Sequence, residues 1–275
     1  MFKKINFGTV APSFLIIGVQ KGGTSSLYFY LSQHPSLLVP KTKELHFFDS
    51  KGPAPKKTYL KLFPKSYGTK KQSFEATPRY IYYPGTARKI YNFNPNIKFI
   101  VMLRNPVDRA YSAWNMYREF EENKVHLKNF IKREKKDAND AIYSSLYKNG
   151  FPTFETWIKE ELNPGFSKEI IEPSIIRRGY YKEQLEVYLN FFPLESFLFL
   201  NFESFKYSPI SNLEKISNFL NIATFKNIPL DLEPKNKRNY TKKIDPETYK
   251  QLEVHYKEKN KGLEKLINIP LSWLS

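Results

Sequence analysis

The stretch Phe14-Leu-Ile-Ile-Gly-Val-Gln-Lys-Gly-Gly-Thr-Ser-Ser-Leu27 decides the fold. Residues 14–17 form an apolar run without polar interruption, the pattern of a strand covered on both faces. Gly22 and Gly23 let the backbone take positive φ and approach a ligand closely. Thr24, Ser25 and Ser26 are suited to cap the helix that follows and to offer N–H and hydroxyl donors. A helix N-terminus attracts anions, and Lys21 adds a full charge. Strand, glycine loop and helix together predict a phosphate-like ligand held by Lys21, Gly22, Gly23, Thr24, Ser25 and Ser26. The plain alternative is a tight turn in an α/β domain.

The glycine spacing between Gly18 and Gly23 is that of a Walker A loop, and Ser25 falls at its Ser/Thr position. The position that carries lysine in nucleoside triphosphatases is Thr24, and the lysine sits earlier, at Lys21. Such a loop can cradle anionic oxygens without the usual β/γ-phosphate lysine.

Working outward, the pattern predicts strands at 14–19, 73–76, 97–103 and 197–201, with a short extended piece at 36–39. Helices are expected at 24–34, 84–93, 152–162, 180–192, 209–220 and 246–257, and one or two helical turns at 59–63. Residues 51–58 read as a Lys/Pro/Gly surface loop, and the densely charged 118–140 as a solvated helix or a mobile segment. Apolar strands alternating with helices predict an α/β fold, a P-loop-like parallel sheet flanked by helices on both faces. We expect one domain over 1–275, with residues 1–12 as an N-terminal arm.

The 44 Lys+Arg against 27 Asp+Glu give a formal charge of +17, which points to anionic partners. The absence of cysteine excludes disulfides, thiolate catalysis and Cys-ligated zinc. No window approaches the ~18 apolar residues of a membrane span, so a soluble, cytoplasmic protein is expected.

A second signal follows the strand at 97–103: Arg104-Asn-Pro-Val-Asp-Arg-Ala-Tyr-Ser-Ala-Trp114. Asn105 suits an N-cap, Pro106 the first helical position and Asp108 the first turn. A Walker-type enzyme often ends this strand in Asp to help hold Mg²⁺. Arg104 cannot ligate Mg²⁺ but can fork onto a phosphate, and Ser112 can face the same anion. The alternative pairs Arg104 with a buried carboxylate. Arg109 is expected in a surface salt bridge.

Residues 18–27 and 103–114 together resemble the two nucleotide-binding motifs of sulfotransferases that use PAPS, 3′-phosphoadenosine 5′-phosphosulfate. Among these, the heparan-sulfate sulfotransferase-like enzymes and their bacterial counterparts are most similar. Further matches are Lys43-Glu-Leu-His-Phe-Phe-Asp49, Glu75-Ala-Thr-Pro-Arg-Tyr80, Arg178-Gly-Tyr-Tyr-Lys-Glu-Gln-Leu185, Phe191-Phe-Pro193 and Ile244-Asp-Pro-Glu-Thr248. They run in family order over about residues 13–273.

The resemblance implies that the loop at 21–26 holds the 5′-phosphosulfate and that Arg104 and Ser112 hold the 3′-phosphate. The basic segment with Lys237, Arg238 and Tyr240 would close over the nucleotide; a solvated charge run is its alternative. Glu44 would be the general base, with Lys21 stabilising the leaving phosphate and His46 orienting Glu44 or touching the acceptor. Asp49 would hold the loop. No metal is implied. The acceptor would be a hydroxyl, or less favourably an amine, of a carbohydrate or glycosylated molecule. Where the glycosaminoglycan enzymes carry Lys before Thr/Ser-Pro, this chain has Ala76, and Arg79 follows Pro78. Two other readings stay open: a P-loop kinase or NTPase, opposed by Thr24 and Arg104, and a non-catalytic nucleic-acid binder, for which no signature is found.

Overall fold

The computed structural model describes residues 8–50, 55–66, 71–122, 150–163, 174–235, 240 and 243–274. In chain order its strands are β1 (Gly8–Thr9), β2 (Pro12–Gly18), β3 (Leu37–Leu38), β4 (Lys65–Ser66), β5 (Gln72–Ala76), β6 (Lys98–Leu103) and β7 (Phe197–Asn201). Five of them form one sheet in the order β3-β5-β2-β6-β7, and every neighbouring pair is parallel. The expected α/β architecture is therefore observed.

The apolar run at 14–17 lies at the centre of this sheet because every one of its side chains is buried. Phe14, Ile16, Phe74, Ala76, Ile100 and Met102 point to one face. There they pack with Leu27, Tyr30 and Leu31 of α1 (Thr24–Ser32) and with Leu213, Ile216 and Leu220 of the helix Pro209–Leu220. Period-two alternation sends Phe99 and Phe197 to the other face. Phe99 meets Tyr188 and Phe192 there in edge-to-face contacts with centroids 5.6 and 4.7 Å apart. A strand with both faces covered in this way must read as continuously apolar, as β2 and β6 do.

The chain divides into two compact units: Met1–Arg104 with Gln184–Arg238 and Ile267–Pro270, and Asn105–Glu183 with Asn239–Leu266 and Leu271–Ser275. The first contains the sheet. The second has its own core, in which Val107, Ala110, Trp114 and Tyr117 pack with Phe154, Trp157, Leu252 and Tyr256. Its α4 (Pro106–Glu122) starts as expected: Asn105 Oδ1 accepts from the backbone N–H of Val107 at 2.9 Å and of Asp108 at 3.4 Å.

Several expectations are corrected. Arg109 is not in a surface salt bridge. It is fully buried on the packed face of α4 and donates to the carbonyl of Ile175. Within the stretch expected as an N-terminal arm, β1 pairs antiparallel with β4. A helix at Lys56–Leu60 replaces the end of the expected surface loop and the turns at 59–63. Of the segment at 118–140, for which a solvated helix is one expectation, the residues to Glu122 are helical, and the remainder lies outside the described residues. Among the described residues no helix is long and apolar enough to cross a membrane.

Candidate functional site

The loop that follows β2 is built by close backbone packing. Its two ends are pinned by Val19 N–H to Met102 O at 2.9 Å and Gly22 N–H to Val19 O at 2.9 Å. The glycines are demanded by space. A Cβ on Gly22 would lie 2.8 Å from both Met102 O and Val19 Cγ2, and one on Gly18 would lie 2.7 Å from Ile81 Cγ2. The positive φ expected of Gly22 falls instead on Lys21, at 66°, while Gly23 takes 85° as expected. In the left-handed region a non-glycine residue costs roughly 1–2 kcal/mol, so Lys21 is held there by its surroundings.

One of those surroundings is Arg104, at the end of β6. Its Nη1 donates to the carbonyl oxygen of Lys21 at 2.8 Å, and its guanidinium lies over the Phe202 ring, 4.7 Å from the centroid. Lys21 and Arg104, which the sequence puts 83 positions apart, are thus joined directly. The same Phe202 ring would meet a Cβ on Gly23 at 2.8 Å.

The three hydroxyls after Gly23 do not cap α1. The N-cap is Gly23 itself, without a side-chain cap bond. Thr24 is buried, and Ser26 is stitched to a distant segment: its Oγ accepts from Lys235 N–H at 2.9 Å. Tyr30 Oη donates to Leu232 O at 2.6 Å, and Gln33 Oε1 accepts from Asp231 N–H at 2.7 Å. Residues 26, 30 and 33 share one helical face, so the 231–235 segment runs along α1 toward the basic residues. Lys237 and Arg238 lie outside the described residues.

The loop at 43–49 carries the other candidate residues. Glu44 and His46 both have left-handed backbones, φ 60 and 52°. The Glu44 side chain is 42% exposed, open enough to meet an acceptor, and Lys43 Nζ bonds its Oε1. His46 lies between two carboxylates: Nδ1 is 2.8 Å from Asp49 Oδ2, and Nε2 is 3.8 Å from Glu44 Oε2. The Asp49 side chain is only 1% exposed. An ionised carboxylate accepts and cannot donate, so Nδ1 carries the proton toward Asp49 and Nε2 is turned to Glu44. Arg79 Nε stands 3.6 Å from the same Asp49 oxygen. The arginine after Pro78 therefore serves Asp49.

In the second unit, Ser112 is buried on α4, and Tyr240 Oη donates to its Oγ at 2.6 Å. Tyr240 also sets its ring edge against Tyr111, with centroids 5.7 Å apart. Ser112, expected at the 3′-phosphate, and Tyr240, expected on the segment that closes over the nucleotide, are thus brought together.

Sequence reasoning missed what lies beneath the 43–49 loop. Glu75 is fully buried, and its carboxylate accepts from Tyr59 Oη at 2.6 Å, Tyr80 Oη at 2.9 Å and Thr77 Oγ1 at 2.8 Å. A charged residue inside the otherwise uncharged strand Gln-Ser-Phe-Glu-Ala was the available signal.

A family model described as "Sulfotransferase domain" matches residues 11–265. The membrane-associated sulfotransferase kil1 of Dictyostelium discoideum is 25% identical, over 95% of this chain and 66% of that protein. Heparan sulfate glucosamine 3-O-sulfotransferase 5 of Homo sapiens is 29% identical, over 77% of this chain and 54% of that protein. The chain thus spans between half and two thirds of the length of these relatives. A sulfotransferase crystal structure from Alicyclobacillus acidocaldarius aligns with TM-score 0.67 at 27% identity, covering 97% of this chain and 100% of that one.

Proposed function

Because the chain belongs to the sulfotransferase domain family, we propose that it transfers a sulfuryl group from PAPS to a hydroxyl of a carbohydrate or glycosylated acceptor. An amine is the second acceptor class. The observation that carries this reading is the bond from Arg104 Nη1 to the Lys21 carbonyl, which brings the two cations expected to serve one doubly phosphorylated nucleotide to the same strand ends. The relative named for glucosamine 3-O-sulfation supports a sugar hydroxyl as acceptor.

In this reading the acceptor oxygen attacks sulfur in line. The new O–S bond forms as the bond from sulfur to the phosphate oxygen breaks, leaving 3′,5′-adenosine bisphosphate (PAP). Glu44 takes the acceptor proton, a step typically worth ~10²–10⁴-fold. Lys21 meets the charge that develops on the leaving phosphate, with Gly22, Gly23, Thr24 and Ser25 forming the rest of the cradle. His46, held by Asp49 through Nδ1, stands beside Glu44 and orients it or touches the acceptor. Arg104 serves the 3′-phosphate, and Lys237 and Arg238 follow on the basic segment. Arginine in place of the strand-end aspartate favours transfer without Mg²⁺.

The test is incubation with labelled PAPS and a panel of sugar hydroxyl and amine acceptors, with calorimetry of PAP and ADP binding with and without Mg²⁺. We expect transfer to a hydroxyl and Mg²⁺-independent binding that prefers PAP. Mg²⁺-dependent binding of ADP with no affinity for PAP would sink the reading.

A further inference from the structure

The 43–49 loop contains no glycine, yet Glu44 and His46 both sit at positive φ. Conformations of this kind cost about 1–3 kcal/mol each and persist only where neighbours over-determine them. The neighbours here are specific. Glu44 N–H donates to Ala76 O at 3.2 Å. Phe47 N–H and Phe48 N–H both donate to Tyr80 Oη, at 2.9 and 3.4 Å. Three of five consecutive loop amides, on either side of His46, are therefore held by β5 and the turn that follows it.

The direction of these bonds is fixed. Tyr80 Oη accepts from two amides, so its own proton must go to Glu75 Oε1. Glu75 then receives three hydroxyl donors: Tyr59 and Tyr80 on Oε1 and Thr77 on Oε2. An amide nitrogen in place of Oε1 would set a donor against the committed Tyr80 proton. Tyr80 cannot turn away, since Tyr188 Oη also holds its carbonyl at 2.8 Å and its ring is buried.

We propose that Glu75 is a positioning residue of the transfer reaction: its buried carboxylate, acting through the Tyr80 hydroxyl, holds the left-handed backbone that aims Glu44 and His46. Glu75 touches neither donor nor acceptor. It acts as the fixed post for a loop that has no glycine to relax into its shape. The inference rests on Glu44 serving as base, and it predicts a loss in kcat without a loss in nucleotide affinity, because no loop amide held through Tyr80 belongs to the 18–26 cradle.

The full chain carrying Glu75→Gln, Tyr80→Phe or Tyr59→Phe tests this. Glu75→Gln keeps the size but turns one acceptor into a donor. Tyr80→Phe keeps the ring but frees the Phe47 and Phe48 amides. Tyr59→Phe removes a donor to Glu75 that touches no loop amide. We expect the first two to lose tenfold or more in kcat with PAP affinity within twofold of wild type, and Tyr59→Phe to lose under threefold. Hydrogen exchange at 44–48 should quicken in the first two while the amides of β2 and β6 keep their protection. If Glu75→Gln fails to fold, Tyr80→Phe decides alone. Wild-type kcat in Tyr80→Phe, unchanged exchange at 44–48, or PAP affinity falling in step with kcat overturns the proposal. A wild-type chain that transfers nothing and does not bind PAP overturns the sulfotransfer reading instead; the exchange measurement then still decides whether Glu75 and Tyr80 hold the loop.

Discussion

The loop at 18–23 and the loop at 43–49 each hold non-glycine residues in left-handed backbone, Lys21 in one and Glu44 with His46 in the other. They are held by opposite means. The first is shaped by backbone against backbone, with glycines where a Cβ would strike Met102 O, Ile81 or Phe202. The second has no glycine and hangs from side chains, Tyr80 and through it Glu75 beneath it and Asp49 beside it. A cradle for a phosphate needs N–H groups brought close, which side chains would obstruct. A loop that must aim a carboxylate and an imidazole needs those side chains fixed, which glycine would loosen.

The largest expected effect separates chemistry from binding. Glu44→Gln removes the proton acceptor while leaving the 18–26 cradle untouched, so turnover should fall ~10²–10⁴-fold with PAP affinity unchanged by calorimetry. Equal turnover would remove Glu44 as base and would reduce the second loop to a structural element.

Gly22→Ala should do the reverse. Its Cβ would stand 2.8 Å from the carbonyl of Met102, which belongs to the rigid centre of the sheet. Overpacking of this kind typically costs ~1–3 kcal/mol, and the shift falls on the loop rather than the strand. PAP affinity should drop about tenfold or more, at roughly 1.4 kcal/mol per factor of ten. Titration of PAP into the variant checks it. Unchanged affinity would mean that this loop does not carry the nucleotide.

Ser26→Ala sharpens the border between cradle and scaffold. The sequence groups Ser26 with the donor-binding hydroxyls, and the structure bonds it to Lys235 N–H. Removing the acceptor leaves that amide unmatched, a loss of about 1 kcal/mol, readable as a lower denaturant midpoint. PAP affinity should change less than for Gly22→Ala. A larger loss of affinity than in Gly22→Ala would return Ser26 to the phosphate.

The two loops also differ in how far they could be read from the sequence. The sheet, the helix after Asn105 and the glycine loop were legible because each is encoded locally, in apolar runs, capping residues and spacing. Gly22 and Gly23 announced a close approach before any partner was known. The bond from Arg104 to the Lys21 carbonyl could not be read, because it depends on β2 and β6 lying side by side. Neither could the burial of Arg109, since a cation at helical spacing looks the same on a solvated face as on a packed one. Glu75 was hidden for a related reason. Its three donors come from residues 59, 77 and 80, and only the fold collects them.

The smallest expected effect tests what this collecting costs. Burial pushes the Glu75 carboxyl above its ordinary value of 4.5, and the three hydroxyls pull it only part of the way back. The titratable groups that face it are Tyr59 and Tyr80, with Tyr28 beyond them; burial first, and then the charge of Glu75, pushes the Tyr28 phenol up to about 12. A carboxyl whose folded pKa is raised favours the folded state while protonated. That contribution is fully present below the unfolded pKa and is lost as pH rises through the folded one. Wild type should therefore lose stability relative to Glu75→Gln as pH climbs through and above the ordinary carboxylate range, since glutamine has no charge to desolvate. Denaturant unfolding of both chains at a series of pH values measures the difference. A stability gap that narrows with rising pH while the kcat gap persists would mean that the buried charge is kept for aim at the expense of stability. A gap independent of pH would mean that Glu75 does not titrate in this window and that its donors hold it ionised at no cost.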